Sequence, residues 1–167
     1  MAGHCVGDLL IGGNLGNRVE NLAKASTLIG KRAGEVSRSS RIFETAAWGI
    51  TDQKPFLNQA LRITTLLTPH ELLDVILGIE MTMGRIRLEK NGPRLIDIDI
   101  LFYNGLIISE PRLTVPHPLL HERRFVLAPL NDIASAFVHP LLNKSVSTLL
   151  LECKDDLAAE PFTPALH

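Results

Sequence analysis

Apolar and polar residues follow two periods along this chain, and the periods predict its elements. Residues 6–11 form a short apolar run that reads as a first strand, stopped by Gly12-Gly13-Asn14-Leu15-Gly16-Asn17. A helix is expected next. Asn17 is a capping residue, Glu20 stands at the capping-box position, and Val19, Leu22, Ala23, Ser26 and Ile29 recur at helical spacing. Residues 34–44 and 56–66 read as a second and a third strand, with an irregular segment, 45–55, between them. Thr68-Pro69-His70-Glu71 combines a cap, a proline at the first helical position and a capping-box acid. The helix it starts carries Leu72, Leu73, Ile76, Leu77 and Met83 on one face. Residues 84–93 form a charged connection, and residues 96–103 are the clearest strand in the chain. Asn104-Gly105 predicts a type I′ hairpin turn into 106–108. Past Pro116 the chain reads as loop and short helix, then a final helix over 145–154 and a mobile tail over 158–167.

The order strand, helix, two strands, helix, strand is that of a ferredoxin-like α+β fold. The expectation is an antiparallel sheet with helices on one face, extended by a hairpin and C-terminal helices. Such a sheet leaves its other face for a site. No repeat, low-complexity stretch or linker divides the 167 residues, so one domain over 1–167 is expected.

Asp97 and Asp99 are the strongest chemical clue. Residues two apart on a strand share a face, so Ile96, Ile98 and Ile100 enter the core while both carboxylates emerge opposite. Two adjacent carboxylates repel unless a cation or proton lies between them, and magnesium with phosphates is the natural cation. Alone, the pair reads equally well as two solvated acids paired to nearby arginines. The basic residues shift that balance. Arg85, Arg87 and Lys90 precede the strand, Arg94 lies directly before it, and Arg112 and Arg123 follow. Guanidinium forks match phosphate oxygens. A charged loop holding Arg85 and Arg87, with Gly84, Asn91, Gly92 and Pro93, has the makings of a lid over a polyphosphate. Together these favour a phosphoryl-transfer site.

Other residues stay open at this level. The Gly12–Gly16 turn lacks the Lys-Ser/Thr pair of a P-loop, and reads as a tight connection shaping the site wall. His117, held in Pro116-His117-Pro118, is either a surface histidine or a phosphate contact, the second being favoured between Arg112 and Arg123. Phe56 and Phe125 suit core packing, or a slot for a flat ring whose polar edge Asn58 reads. Glu80 is either the solvent edge of the second helix or faces a nucleotide.

Composition removes several classes. A net charge of −1 gives no global case for nucleic acid or an anionic membrane. No apolar run approaches a membrane span and no signal-peptide pattern opens the chain, so a soluble, cytoplasmic monomer is expected. Cys5 and Cys153 lack metal-ligand spacing and read as reduced thiols, and no Cys/His group suits zinc.

Four collinear blocks resemble the 6-hydroxymethyl-7,8-dihydropterin pyrophosphokinases, from Leu10 to about Ala134. Ile11-Gly12-Gly13-Asn14-Leu15-Gly16-Asn17-Arg18 is similar to that family's N-terminal block. Glu44-Thr45 through Gly49, with Asp52-Gln53 and Phe56-Leu57-Asn58, resembles its pterin block. Gly84-Arg85-Ile86-Arg87 with Gly92-Pro93-Arg94-Leu95-Ile96-Asp97-Ile98-Asp99 resembles its signature. Leu113-Thr114-Val115-Pro116-His117-Pro118 with Arg123-Arg124-Phe125-Val126-Leu127 resembles its C-terminal block.

The resemblance implies transfer of pyrophosphate from ATP to the pterin hydroxymethyl group, giving AMP, as a step of folate biosynthesis. It implies two Mg2+ ions on Asp97 and Asp99, and catalytic Arg85 and Arg87 on a mobile loop. ATP contacts are implied for Glu80, Arg87, Arg94, Ile100, Arg112, Thr114, His117 and Arg123. Pterin contacts are implied for Thr45, Ala46, Trp48, Phe56, Asn58, Asp97 and Phe125. The chain departs from the pattern at Gly13 (usually Ser), Ala46 (commonly Pro), Asn91 (frequently Trp) and Pro118 (aromatic in some members). None of these removes a metal ligand or a catalytic arginine. Palm-type nucleotidyl transferases or cyclases, and a non-catalytic RNA-binding module, share the topology. The acidic pair argues against the RNA-binding module.

Overall fold

The computed structural model describes residues 3–46, 53–84 and 95–164. Its elements run β1 (Cys5–Gly13), α1 (Arg18–Arg32), β2 (Glu35–Ser39), β3 (Phe43–Thr45), β4 (Phe56–Thr65), α2 (Pro69–Thr82) and β5 (Asp97–Tyr103). β6 (Ile108–Ser109), β7 (Thr114–Val115), α3 (Arg124–Ala134), α4 (Val146–Glu152) and β8 (Glu160–Pro161) follow. The main sheet has the order β5-β1-β4-β3-β8, with β2 also on β4, and its paired strands are antiparallel. This is the expected α+β, ferredoxin-like arrangement.

The helix starts follow from their caps. The Asn17 side chain accepts the Glu20 N–H at the head of α1. At the head of α2, Thr68 and Glu71 exchange both bonds of a capping box. Leu22, Ala25 and Ile29 of α1 and Leu72, Ile76 and Ile79 of α2 pack on Leu9, Ile11, Leu57, Leu61, Ile63, Ile98 and Ile100 of the sheet. That is the first core. On the other face, Leu10, Ala60, Leu101 and Phe102 pack against Val126, Leu127, Leu130, Ile133, Val146 and Leu149 of α3 and α4. The C-terminal extension therefore covers part of the second face and leaves the rest open.

Several sequence expectations shift in detail. The second strand is divided into β2 and β3, because Ser40 interrupts it: its hydroxyl takes the Ala60 N–H at 2.8 Å while its own N–H reaches the Ala60 carbonyl. Asn104-Gly105 makes a turn, but of the two only Asn104 has positive φ (50°), so the turn is not type I′. The hairpin forms instead between β6 and β7, through Ile108–Val115 and Ser109–Thr114. α3 runs through Pro129, where burial of its apolar face outweighs the lost backbone donor. Part of the tail is docked: β8 pairs with β3, and Phe162 donates its N–H to the Ile42 carbonyl at 2.8 Å. Both cysteines are free.

His139 closes the loop between α3 and α4. Its ring lies edge-on to Phe102, 5.6 Å between centroids, and Nδ1 accepts the N–H groups of Leu141 and Leu142, each at 3.1 Å. Burial, with a smaller push from His121, holds its pKa below the ordinary 6.5. The folded state thus favours the neutral ring, and the unfolded chain takes the proton first as pH falls. Its contribution is complete above about pH 6.5 and is lost on acidification below it. His139→Asn keeps an acceptor at that position and does not titrate. Its melting temperature is expected to fall less steeply between pH 7 and 5 than the parent's, measured by circular dichroism.

Candidate active site

Asp97 and Asp99 leave β5 on the same side and line one cavity of about 380 Å³. Asp97 is half-buried and Asp99 exposed, while Ile98 and Ile100 between and beyond them enter the first core. β5 ends the sheet on this side, so its outer N–H groups need partners from elsewhere. Glu80 of α2, only 4% exposed, supplies one: its carboxylate accepts the Ile98 N–H at 2.8 Å. This bond holds the strand at the residue between the two acids.

Gly12 and Asn58, cross-strand partners in β1 and β4, form the floor. A Cβ on Gly12 would stand 2.0 Å from Asn58 Oδ1, so only glycine leaves room for that amide over the strand. Thr45 and Phe56 face each other where β3 and β4 end, and Ala46 follows. Thr45 is 4% exposed, and its hydroxyl has no hydrogen-bond partner among the described residues. A buried, unsatisfied hydroxyl in a cavity wall is a place where a bound molecule gains a bond. Arg18 steadies this corner, reaching Glu44 at 2.9 Å and the Pro55 carbonyl at 2.8 Å.

Another wall comes from a 3-10 turn at Leu120–Glu122 and the start of α3. Leu119, Glu122, Arg123 and Phe125 line it. The Arg123 guanidinium lies 5.7 Å from the centroid of the Phe125 ring, which orders both groups. Phe56 and Phe125 thus face one cavity from different elements, with Asn58 on the floor between the walls.

His117 follows a cis Val115–Pro116 bond. Its N–H donates to the Leu101 carbonyl at 3.0 Å, and Nδ1 accepts the Leu119 N–H at 3.3 Å. Burial pushes its pKa below the ordinary value, Asp99 opposes that shift and Arg123 adds to it. A neutral imidazole with Nδ1 occupied presents Nε2–H as a donor.

Some expected residues stand apart from the cavity. The Ile100 side chain is buried in the first core, so only its backbone edge remains available to a ligand. Arg112 pairs with Asp74 of α2, and Thr114 lies exposed on β7. Trp48, Arg85, Arg87 and Arg94, with Lys90 and Asn91, lie outside the described residues. The cavity also includes Leu10, Leu119, Glu122, Asp155 and Leu157, which sequence reasoning missed. Glu122 sits beside Arg123 and could have been found from it. Asp155 and Leu157 belong to no motif.

Comparison with known proteins gives the family. The family model for 7,8-dihydro-6-hydroxymethylpterin-pyrophosphokinase (HPPK) matches residues 9–135. The chain is 46% identical over 129 residues to the 2-amino-4-hydroxy-6-hydroxymethyldihydropteridine pyrophosphokinase of Methylorubrum extorquens, covering 77% of this chain and 82% of the relative. The Synechocystis enzyme of the same name is 40% identical over 158 residues, covering 94% and 80%. The folic acid synthesis protein of Dictyostelium discoideum is 41% identical over 150 residues, and there the match spans 90% of this chain but only 23% of the relative. Thus the chain spans about a quarter of the longest of these relatives and about four-fifths of the two bacterial ones. The fold matches the crystal structure of Plasmodium falciparum HPPK-DHPS with pterin and p-hydroxybenzoate at a TM-score of 0.76, with 20% identity, over 91% of this chain and 43% of that one. This chain belongs to the 7,8-dihydro-6-hydroxymethylpterin-pyrophosphokinase family, the pyrophosphokinases of folate synthesis.

Proposed function

We infer that this chain, as a single domain, transfers the pyrophosphoryl group of ATP to 6-hydroxymethyl-7,8-dihydropterin. The observation that carries the reading is the meeting of two chemistries in one cavity. Asp97 and Asp99 line it together with Thr45, Phe56, Asn58 and Phe125. The aromatic rings and Asn58 suit a flat heterocycle with a polar edge, and the Thr45 hydroxyl offers a further bond. The pterin hydroxymethyl group then points toward the carboxylates.

The donor set suits magnesium. Among the described residues no group of three or more His, Cys, Asp and Glu gathers to enclose a metal ion. Magnesium commonly takes one or two carboxylates, with water and substrate phosphates completing its shell. Asp97 and Asp99 would hold two such ions, which supply charge neutralisation on the polyphosphate. The chain's own work is positioning. Phe56, Asn58 and Phe125 orient the pterin, and Glu80 holds β5 beneath it. Arg123 and His117 offer donors to phosphate oxygens. On the family's signature, Arg85 and Arg87 are assigned to stabilising charge on the transferring group, and Arg87 and Arg94 to ATP, with Arg112 and Thr114 as outer contacts. The hydroxymethyl oxygen attacks the β-phosphorus, the bond from that phosphorus to the α-phosphate oxygen breaks, and AMP leaves. Holding reactants in line and neutralising charge account for most catalysis of this kind. The reading places the enzyme in the cytoplasm as a monomer acting on two small molecules. No helix among the described residues is long and apolar enough to cross a membrane.

Incubation with ATP, magnesium and hydroxymethyl-dihydropterin is expected to yield AMP and the pterin pyrophosphate, and neither without metal or pterin. Pyrophosphate in place of AMP would move the assignment to nucleotidyl transfer. Asp97→Asn and Asp99→Asn are each expected to lower kcat at least about 1,000-fold, a loss typical of removed transition-state charge stabilisation. Both side chains face away from the first core, so melting temperatures should stay close to the parent's. Thr45→Val preserves shape and removes the hydroxyl. It is expected to raise the pterin KM about 5- to 10-fold, one neutral hydrogen bond's worth, with the ATP KM unchanged. Steady-state kinetics with each substrate varied would show an equal pterin KM if the hydroxyl makes no contact.

A further inference from the structure

The family match stops at residue 135, yet the cavity does not. Asp155 and Leu157 line it, from a segment between α4 and β8 that carries no recognised motif. This segment is tied down at both ends. On one side Arg124, next to Phe125, donates from its guanidinium to the carbonyls of Cys153 and Asp155 at 3.0–3.3 Å. On the other side β8 pairs with β3, the strand that ends in Thr45, and Phe162 packs on the first core beneath the Arg18 guanidinium. The segment therefore runs from the aromatic wall to the Thr45 wall.

Asp155 sets its shape. One carboxylate oxygen accepts the Arg124 N–H at the head of α3, and the other accepts the Leu157 N–H, both at 3.0 Å. Both oxygens are engaged within the protein, so Asp155 fits the role of a positioning residue. Leu157, two residues on and half-buried, brings the apolar side chain. A leucine held by a locked turn in the wall of a slot for a flat ring is suited to packing against that ring.

We propose that the C-terminal segment is the closing wall of the pterin slot, with Leu157 as a substrate-contact residue that sets pterin affinity and Asp155 as the residue that positions it. This rests on the assignment of the slot to pterin given above. It predicts that discrimination among pterins differing in ring substituents depends on residues outside the family's matched region.

The test is direct titration of the intact protein with hydroxymethylpterin in the presence of a non-hydrolysable ATP analogue, with the melting temperature followed in parallel. Leu157→Ala removes apolar contact area and is expected to weaken pterin binding about 5- to 20-fold, as loss of one to two buried carbons would. Affinity for the ATP analogue alone should not change. Leu157→Met, which keeps the volume, should stay within about threefold of the parent. Asp155→Ala should weaken pterin binding in the same direction, with Asp155→Asn recovering part of the loss because its amide oxygen still accepts one N–H. Pterin affinity within twofold of the parent in folded Leu157→Ala would overturn the wall. Equal losses for pterin and ATP analogue in Leu157→Ala would overturn it too, as general loosening. A parent that binds no pterin would instead overturn the slot assignment itself, and this inference with it.

Discussion

The site depends on one strand keeping its two sides apart. β5 sends Ile98 and Ile100 into the core beneath α1 and α2, and sends Asp97 and Asp99 into the cavity opposite. A slip of one residue would exchange the two sets, burying both acids and exposing both isoleucines. Pairing with β1 resists that slip on one edge, through Ile11–Ile98 and Gly12–Asp97. On the other edge Glu80 resists it, by accepting the Ile98 N–H. A buried carboxylate is tolerated only when its oxygens are engaged, and a backbone N–H on a sheet edge needs a partner. Each group thus meets the other's requirement, and α2 helps fix the cavity strand without facing the cavity.

The second face of the sheet is divided along its length by the same logic. At one end β1 and β4 carry Asp8 and Arg62, a directly opposed pair whose carboxylate and guanidinium meet through two bonds at 2.8 and 3.0 Å. Asp8 is 1% exposed, so the fork-to-fork geometry is what makes its burial acceptable. In the middle Leu10, Ala60, Leu101 and Phe102 form the apolar seat of α3 and α4. A register shift on the β5 side, between Asp8 and Leu9, places Leu101 and Phe102 on the same face, whereas strict alternation would separate them. Only the far end, with Gly12, Asn58, Asp97 and Asp99, is left to chemistry. The helices that fill the middle also deliver Arg123 and Phe125 to the edge of the open end.

The parts legible in the sequence are those set by local rules. Both helix starts were readable because a cap and its partner lie three residues apart. The carboxylate pair was readable because strand alternation is a period of two. What escaped was decided by contacts distant in sequence. Ser40 breaks the second strand through Ala60, the hairpin moves to β6 and β7 because β6 finds its partner there, and the tail docks because β3 offers it an edge. Glu80 shows the limit most clearly. Its place in the sequence left a solvent edge or a nucleotide contact open, but the N–H that makes burial acceptable comes from residue 98. Asp155 and Leu157 were invisible for the same reason, since nothing local marks a turn as a cavity wall.

Gly12 illustrates how backbone and chemistry constrain each other here. The glycine-rich turn carries no phosphate signature, and the structure gives Gly12 a different reason to be small. The Asn58 amide occupies the space its side chain would take. That amide can reach the cavity only because β1 and β4 are in register at this pair, and the register is carried over nine pairs from Cys5–Thr65 to Gly13–Leu57. Strand pairing far from the site thus sets the position of the group assigned to read the pterin's polar edge. The cavity is consequently built mainly from regular structure on its floor, where precision matters for in-line transfer. Its walls come from a turn, a helix start and a C-terminal segment, where differences in length and side chain can alter what is bound while the carboxylates stay in place.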